Sequence, residues 1–283
     1  MATNSYFNII TFLLTTVFYY LALKPRLKYN DLVNDNQYKT YLQKNYLYLG
    51  VYFLLILIIQ FTVNTSIVTT KCGGNVTENL GASGLLTFVP WTLIFGVVII
   101  VLVAYPGFKS SFSDVIGYFY VSGSANKILT ELLVNTKIND QMDKENMDPS
   151  RKKQLEQAAD MIIKICGNTS ILINQIVPSN FIEYWNLLRP LMKDEYKMDG
   201  SHADEKRNEL FELVVTRDNV GEAMWYIYTG LLICSIVQLK ISTRACMTNP
   251  KQIAKNYQNY LDEQIASDAK QKQATSTVYT ITN

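Results

Sequence analysis

The chain is poor in the residues that carry out chemistry. Only one of its 283 residues is a histidine, His202, and it stands in the charged string SHADEKR, as a solvated surface residue would. One histidine removes Ser-His and Cys-His nucleophile pairs and most histidine-built metal centres. The four cysteines, Cys72, Cys166, Cys234 and Cys246, are scattered without a CxxC pair. Neither a zinc site nor a disulfide framework is therefore expected. Cys234 lies in an apolar run, where a thiol acts as a small hydrophobe. No Walker loop, GxGxxG, GxSxG, HExxH or EF-hand pattern occurs, and acidic pairs such as Asp204-Glu205 fall in solvated charged strings. These absences point away from an enzyme and predict neither cofactor nor metal. A net charge of +2 is too small to predict a nucleic-acid partner.

Charge is also missing locally. Four stretches contain no Asp, Glu, Lys, Arg or His: YFNIITFLLTTVFYYLAL (6–23), YLYLGVYFLLILIIQFTV (46–63), the run around FVPWTLIFGVVIIVLVAY (85–106), and AMWYIYTGLLICSIVQL (223–239). A bilayer core takes about 20 helical residues, so these read as spans at 6–23, 46–63, 85–106 and 222–240, the last being the shortest. Tyr19, Tyr20, Tyr46, Tyr48, Trp91, Tyr105, Trp225 and Tyr226 gather near their ends, as side chains suited to the headgroup boundary do. The predicted class is all-α: a polytopic membrane protein with about four transmembrane helices and a helical soluble domain. It divides into a membrane domain (1–106), a soluble domain (107–221), the fourth span (222–240) and a polar tail (241–283).

The first run lacks a basic n-region and an A-x-A site, and KPRLK follows it at once. It reads as an uncleaved anchor rather than a signal peptide. Loop 24–45 holds Lys24, Arg26, Lys28, Lys39 and Lys44, whereas 64–84 holds only Lys71. The first is thus expected on the cytoplasmic side and the second outside. Two N-x-S/T sequons lie in the outer stretch. Asn64 abuts the membrane, and Asn75 is the better glycosylation candidate. Four spans put the tail outside, yet Lys240, Arg244, Lys251 and Lys255 favour inside. A re-entrant segment near 110–123 would remove that conflict.

The soluble region reads as helical. GFKSSFSDVIGYFYVSG (107–123) suits a re-entrant or interface-lying segment, and 124–134 a short amphipathic helix. DPSRKKQLEQAADMIIKICG has Asp148 as cap, Pro149 at the first position and Gly167 as stop. NFIEYWNLLRP places Asn180 and Glu183 at capping-box spacing. A further helix over 203–217 buries Leu210, Leu213 and Val214. In the tail, Ile253, Tyr257, Tyr260, Leu261 and Ile265 recur as a narrow apolar stripe. At membrane depth Gln60 and Gln238 are expected to hydrogen-bond between helices. Pro90 is expected to start the third helix and Gly96 to mark a close helix contact.

One segment, PWTLIFGVVIIVLVAYPGFKSSFSDVIGY (90–118), with the SANKILTELL helix behind it, resembles a membrane-protein pattern of large double-stranded DNA viruses. In that pattern a Pro-Trp-x-x-Ile-Phe-Gly span runs into Pro-Gly-Trp and Pro-Phe-Ser-Asn-x-x-Gly-Tyr. Pro90, Trp91, Ile94, Phe95, Gly96, Pro106, Gly107, Phe112, Ser113, Gly117 and Tyr118 match it. Phe108, Ser111 and Asp114 depart from it, and FIEYWNLLRPL adds a second likeness. The resemblance implies a structural, membrane-anchored virion protein, akin to a minor capsid protein. Its partners would be the lipid bilayer, capsid proteins of the same virion and further copies of itself. It would reside in the virion's internal membrane, and in host endomembranes during assembly. Tyr184, Trp185 and Arg189 are the candidate partner contacts, with Trp185 as plain core of the soluble domain the other reading. A transporter or channel component, and a membrane-remodelling factor using 107–123 as a wedge, are the alternatives.

Overall fold

Apolar runs bounded by polar ends become helices longer than the runs themselves. The computed structural model describes residues 6–133, 169–198, 200–244, 246 and 250–276. Helix α1 covers Phe7–Phe18 and winds on through a π turn, Tyr19–Leu23. Helix α2 is Tyr29–Val33 and α3 is Asp35–Cys72. Helix α4, Val76–Pro90, passes through a π turn, Trp91–Phe95, into α5, Gly96–Ala104. A 3-10 turn (Pro106–Lys109), α6 (Ser110–Phe112) and a π turn (Ser113–Gly117) lead to α7, Tyr118–Leu132. Then come α8 (Thr169–Gln175), α9 (Phe181–Leu188), α10 (Asp194–Lys197), α11 (Ser201–Thr243) and α12 (Pro250–Ser276). Among the described residues there is no strand, only an isolated bridge between Leu133 and Met192. The all-α class is as predicted. The helix expected at 148–167 lies outside the described residues.

Among the described residues, three helices are long and apolar enough to cross a membrane: Asp35–Cys72, Val76–Ala104 and His202–Thr243. Phe7–Leu23 is shorter, about 25 Å at the helical rise against a core of about 30 Å. The short member is thus the first expected span, not the fourth. The fourth lies inside the 43-residue α11, so the soluble domain and that span share one uninterrupted rod of about 65 Å.

The packing sets the helix directions. Asn8 Nδ2 donates to Cys234 O (3.3 Å), whereas Lys24 meets Glu222, so α1 and α11 run antiparallel. Asn64 Nδ2 donates to Thr87 Oγ1 (2.9 Å), pairing α3 antiparallel with α4. The bundle runs down, up, down, up. Its inside holds Phe12, Tyr19, Tyr52, Trp91, Phe95 and Tyr226 in mutual ring contact, with Tyr19 stacked on Tyr52 at 4.3 Å. Its outside carries Leu54, Leu85, Leu93, Ile100 and Leu239, exposed by 58–70%. Apolar surface of that extent needs lipid. A second core, separate from the first, joins Leu129, Leu132, Ile173, Phe181, Trp185, Met192, Leu210 and Phe211.

Several sequence expectations are corrected. Pro90 does not start the third helix: Asn75 precedes its first residue, Val76, and Pro90 sits inside. A proline donates no bond to the preceding turn, and the π turn Trp91–Phe95 begins directly after it. The stretch 64–84 is no loop either. Only residues 73–75 are non-helical, turned by Gly73 and Gly74 at φ +70° and +78°, values that favour glycine. Asn79 Nδ2 closes the turn on Gly73 O (3.0 Å). Polar side chains at membrane depth also include Asn8 and Asn64, both buried. Gln60 donates to Asn8 O at 3.0 Å and to Thr11 Oγ1 at 3.2 Å, the interhelical role expected of it.

The largest correction concerns the cysteines. Cys72 and Cys246 form a disulfide across 174 residues, with Cα atoms 5.2 Å apart. Because α3 and α11 run parallel and end at one level, the pair meets although nothing in its spacing announces it. Lys71 Nζ donates to Ile241 O and Ser242 O, both at 2.6 Å, and closes the end of α11. Denatured but unreduced protein should show two maleimide-reactive thiols, and reduced protein all four of its cysteines. A gel shift for four thiols before reduction would rule the bridge out.

Candidate functional site at the membrane boundary

Where the bundle passes into the soluble body, three chain segments leave the apolar core together, and each brings a charge. Lys24 follows α1, Lys109 ends the turn after α5, and Asp218 and Glu222 stand one turn apart on α11. Lys109 Nζ lies 3.0 Å from Asp218 Oδ2 and 2.8 Å from Glu222 Oε2. Lys24 Nζ pairs with Glu222 Oε1, which also accepts from the Tyr20 hydroxyl at 3.1 Å. The side chains of Lys24 and Glu222 are 6% and 8% exposed. Two cations and two anions balance. Burial works against the Lys109 ammonium, but Glu222 and Asp218 outweigh it and raise its pKa above the ordinary lysine value. Without the lysines, carboxylates four residues apart on one helix face would repel.

Around this cluster the backbone approaches closely. A Cβ on Gly117 would fall 2.6 Å from Arg217 O, and one on Gly221 2.6 Å from Ser113 Cβ. Gly96 has no such contact, its nearest neighbour being the Phe53 ring at 3.7 Å, which corrects the role expected of it. Arg217 is fully buried. It donates through Nη2 to Ile176 O (2.9 Å) and through Nη1 to Asn174 Oδ1 (3.2 Å) and Ile173 O. A cation there suits the carbonyl end of α8. Trp225 Nε1 donates to Phe108 O at 2.9 Å, and Phe112 packs edge-on to Trp225 at 5.1 Å.

The matched residues of 90–118 thus serve two places. Trp91 and Phe95 are buried in the bundle, while Ile94 faces outward. Pro106 and Gly107 form the turn, Phe112, Ser113 and Gly117 pack on α11, and Tyr118 reaches the soluble core. The segment 107–123 packs along α11, where Ser113 meets Gly221 and Gly117 meets Arg217. Its outer side is apolar: Phe108, Val115, Phe119 and Tyr120 are all exposed, as is Tyr105 just before it.

The expected partner contacts are mostly internal. Trp185 stacks on Phe181 at 6.2 Å in the soluble core, Tyr184 packs against that core, and Arg189 Nε donates to Lys197 O at 2.8 Å. Trp185 and Arg189 still line an open groove of about 630 Å³ with Tyr29, Asn34, Gln37 and Arg207. Asn180 does not cap α9 with its side chain. It turns back instead, accepting from Val177 N (2.8 Å) and donating to Gln175 O (3.0 Å). Asn64 is buried, and Asn75 is exposed on the 73–75 turn. Among the described residues no three His, Cys, Asp or Glu side chains gather as a metal site would require.

Comparisons with protein-family models, with curated proteins and with solved structures found no match.

The ion cluster is mutually satisfied, so its effect is mechanical: it clasps α1, the turn after α5 and α11 where they leave the bilayer. Glu222→Ala strands the buried Lys24 ammonium and leaves Lys109 with Asp218 alone, and should cost about 3–5 kcal/mol, read as thermal unfolding of the detergent-solubilised protein. Gly117→Ala and Gly221→Ala should each cost about 1–3 kcal/mol by overpacking. Gly96→Ala should stay within about 0.5 kcal/mol of wild type; equal losses at all three glycines would contradict the packing described.

Proposed function

We propose that this protein is a non-enzymatic membrane anchor that ties a protein layer to a lipid bilayer. The observation that carries the reading is rigid coupling. The rod of α11 passes without interruption from the apolar bundle into the soluble core, and the Glu222 cluster locks its neighbours to it at the crossing. A load on the soluble body is thereby transmitted to several helices at once. A multi-helix anchor is held in lipid essentially irreversibly, so modest contacts made by many copies suffice to hold the layer.

The likeness of residues 90–118 to membrane proteins of large double-stranded DNA viruses makes the layer, in this proposal, the capsid shell, and the bilayer the virion's internal membrane. The groove between Tyr29, Trp185, Arg189 and Arg207, lined also by Asn34, Gln37 and Asn186, is the proposed contact, its aromatic rings and carboxamides suited to a polar segment of the partner. In this proposal the soluble body faces the cytoplasm, a reading supported by the lysines of 24–45, and the disulfide lies on the oxidising side.

The test has two parts. Alkaline carbonate should leave the protein in the membrane pellet, and lysine-directed cross-linking of purified particles should join its soluble body to a shell protein. Arg189→Glu with Arg207→Glu should abolish that cross-link while membrane retention persists. Release by carbonate, or absence from particles, defeats the reading. A membrane-remodelling role is the second reading, favoured by the exposed Phe108, Val115, Phe119 and Tyr120; tubulation of liposomes by the purified protein would select it.

A further inference from the structure

Among the described residues, nothing covers an apolar stripe on helix α12. Tyr257, Tyr260, Leu261 and Ile265 are exposed by 63, 56, 37 and 67%. At about 100° per residue these four fall within an arc of about 140°, and Asn259, Asp262 and Glu263 fall outside it. Asp268 returns to the stripe's direction and ends it. The pattern is amphipathic over a short length and polar beyond.

The tether decides what can cover that stripe. Helix α11 ends at Thr243, and Cys246, three residues on, is bonded to Cys72 at the end of α3. Helix α12 begins at Pro250. Four residues of chain reach at most about 14 Å, so its start is held near the face where two spans emerge. The stripe from Tyr257 to Ile265 is about 12 Å long, too small to bury the roughly 1,000 Å² of a stable protein interface. Two of its four side chains are tyrosines, which favour the headgroup boundary.

We propose that α12 lies on the bilayer surface at the disulfide-bonded end of the bundle. In this arrangement Tyr257, Tyr260, Leu261 and Ile265 sit among the headgroups and upper acyl chains, and Asp262 and Glu263 face water. The disulfide sets the point from which the helix lies down. The ligand is a lipid surface, and the site needs only that the bundle crosses a bilayer; it stands whether or not the soluble body binds a capsid.

The experiment uses the full chain with Cys166→Ser and Cys234→Ser, the Cys72–Cys246 bridge kept. It is reconstituted in phosphatidylcholine vesicles with a minority of phosphatidylglycerol. Spin labels are placed singly by Tyr257→Cys, Leu261→Cys and Ile265→Cys, and on the other side by Asn259→Cys, Asp262→Cys and Glu263→Cys. The first three should favour collision with oxygen and the last three with a water-soluble nickel chelate, a contrast that reverses with helical period. Uniform access of the nickel chelate overturns the proposal in favour of a solvated helix. Spin–spin broadening confined to the 257, 261 and 265 labels overturns it in favour of a second copy of the chain. As a label-free check, Leu261→Glu with Ile265→Glu should speed tryptic cleavage after Lys270 in vesicles; an unchanged rate counts against lipid contact.

Discussion

A carboxylate held between two lysines at the edge of a bilayer is the constraint on which this architecture turns. Glu222 contacts Lys24 with one oxygen and Lys109 with the other, so it joins segments about two hundred and about one hundred residues away. Burying such a charge alone would cost several kcal/mol, and each partner relieves the others. The cluster can exist only if α1, the turn after α5 and α11 leave the membrane at one level. It thereby sets the vertical register of the bundle, as hydrophobic contacts, which lack direction, do not.

From that level the molecule is organised in opposite senses. Above it, aromatic rings fill the interior and aliphatic side chains cover the outside; below it, the apolar core is enclosed and the surface carries charge. Helices α3 and α11 extend past the boundary, their lipid-facing sides giving way to faces that pack on α2 or on α7 and α10. The close approaches at Gly117 and Gly221 belong to this lower half, where Ser113 and Arg217 need the space that a side chain would occupy. At the far end, the disulfide and the lysine-capped carbonyls of α11 hold α3 and α11 together. The rods are clamped at both ends by specific polar or covalent links and filled between them by non-specific apolar packing.

Much of this was legible in the residues. Charge-free runs of span length identify membrane helices because no unpaired charge is stable in hydrocarbon, and Gln60 within one of them implied an interhelical bond. Asp218 and Glu222 were legible in part: an i,i+4 acidic pair just before a span, with a lysine just after the first span and another just after the third, is a signal. Read only as one of a count of flanking charges, Lys24 showed which side it favours and not what it meets, and Lys109 was not read at all. Trp185 had the composition of a contact residue and became core, because its helix turns that face inward onto Phe181. Nothing in the spacing of Cys72 and Cys246 announced their bond.

The sequence by itself determined that the chain is helical, that it dwells in lipid, and where its apolar runs fall. These follow from local composition and from the cost of burying charge, which act residue by residue. Only the tertiary structure decided which polar groups pair, where helices run on beyond their apolar runs, and which cysteines join. Those depend on the parallel or antiparallel sense of helices far apart in the chain, and on the common level at which they end.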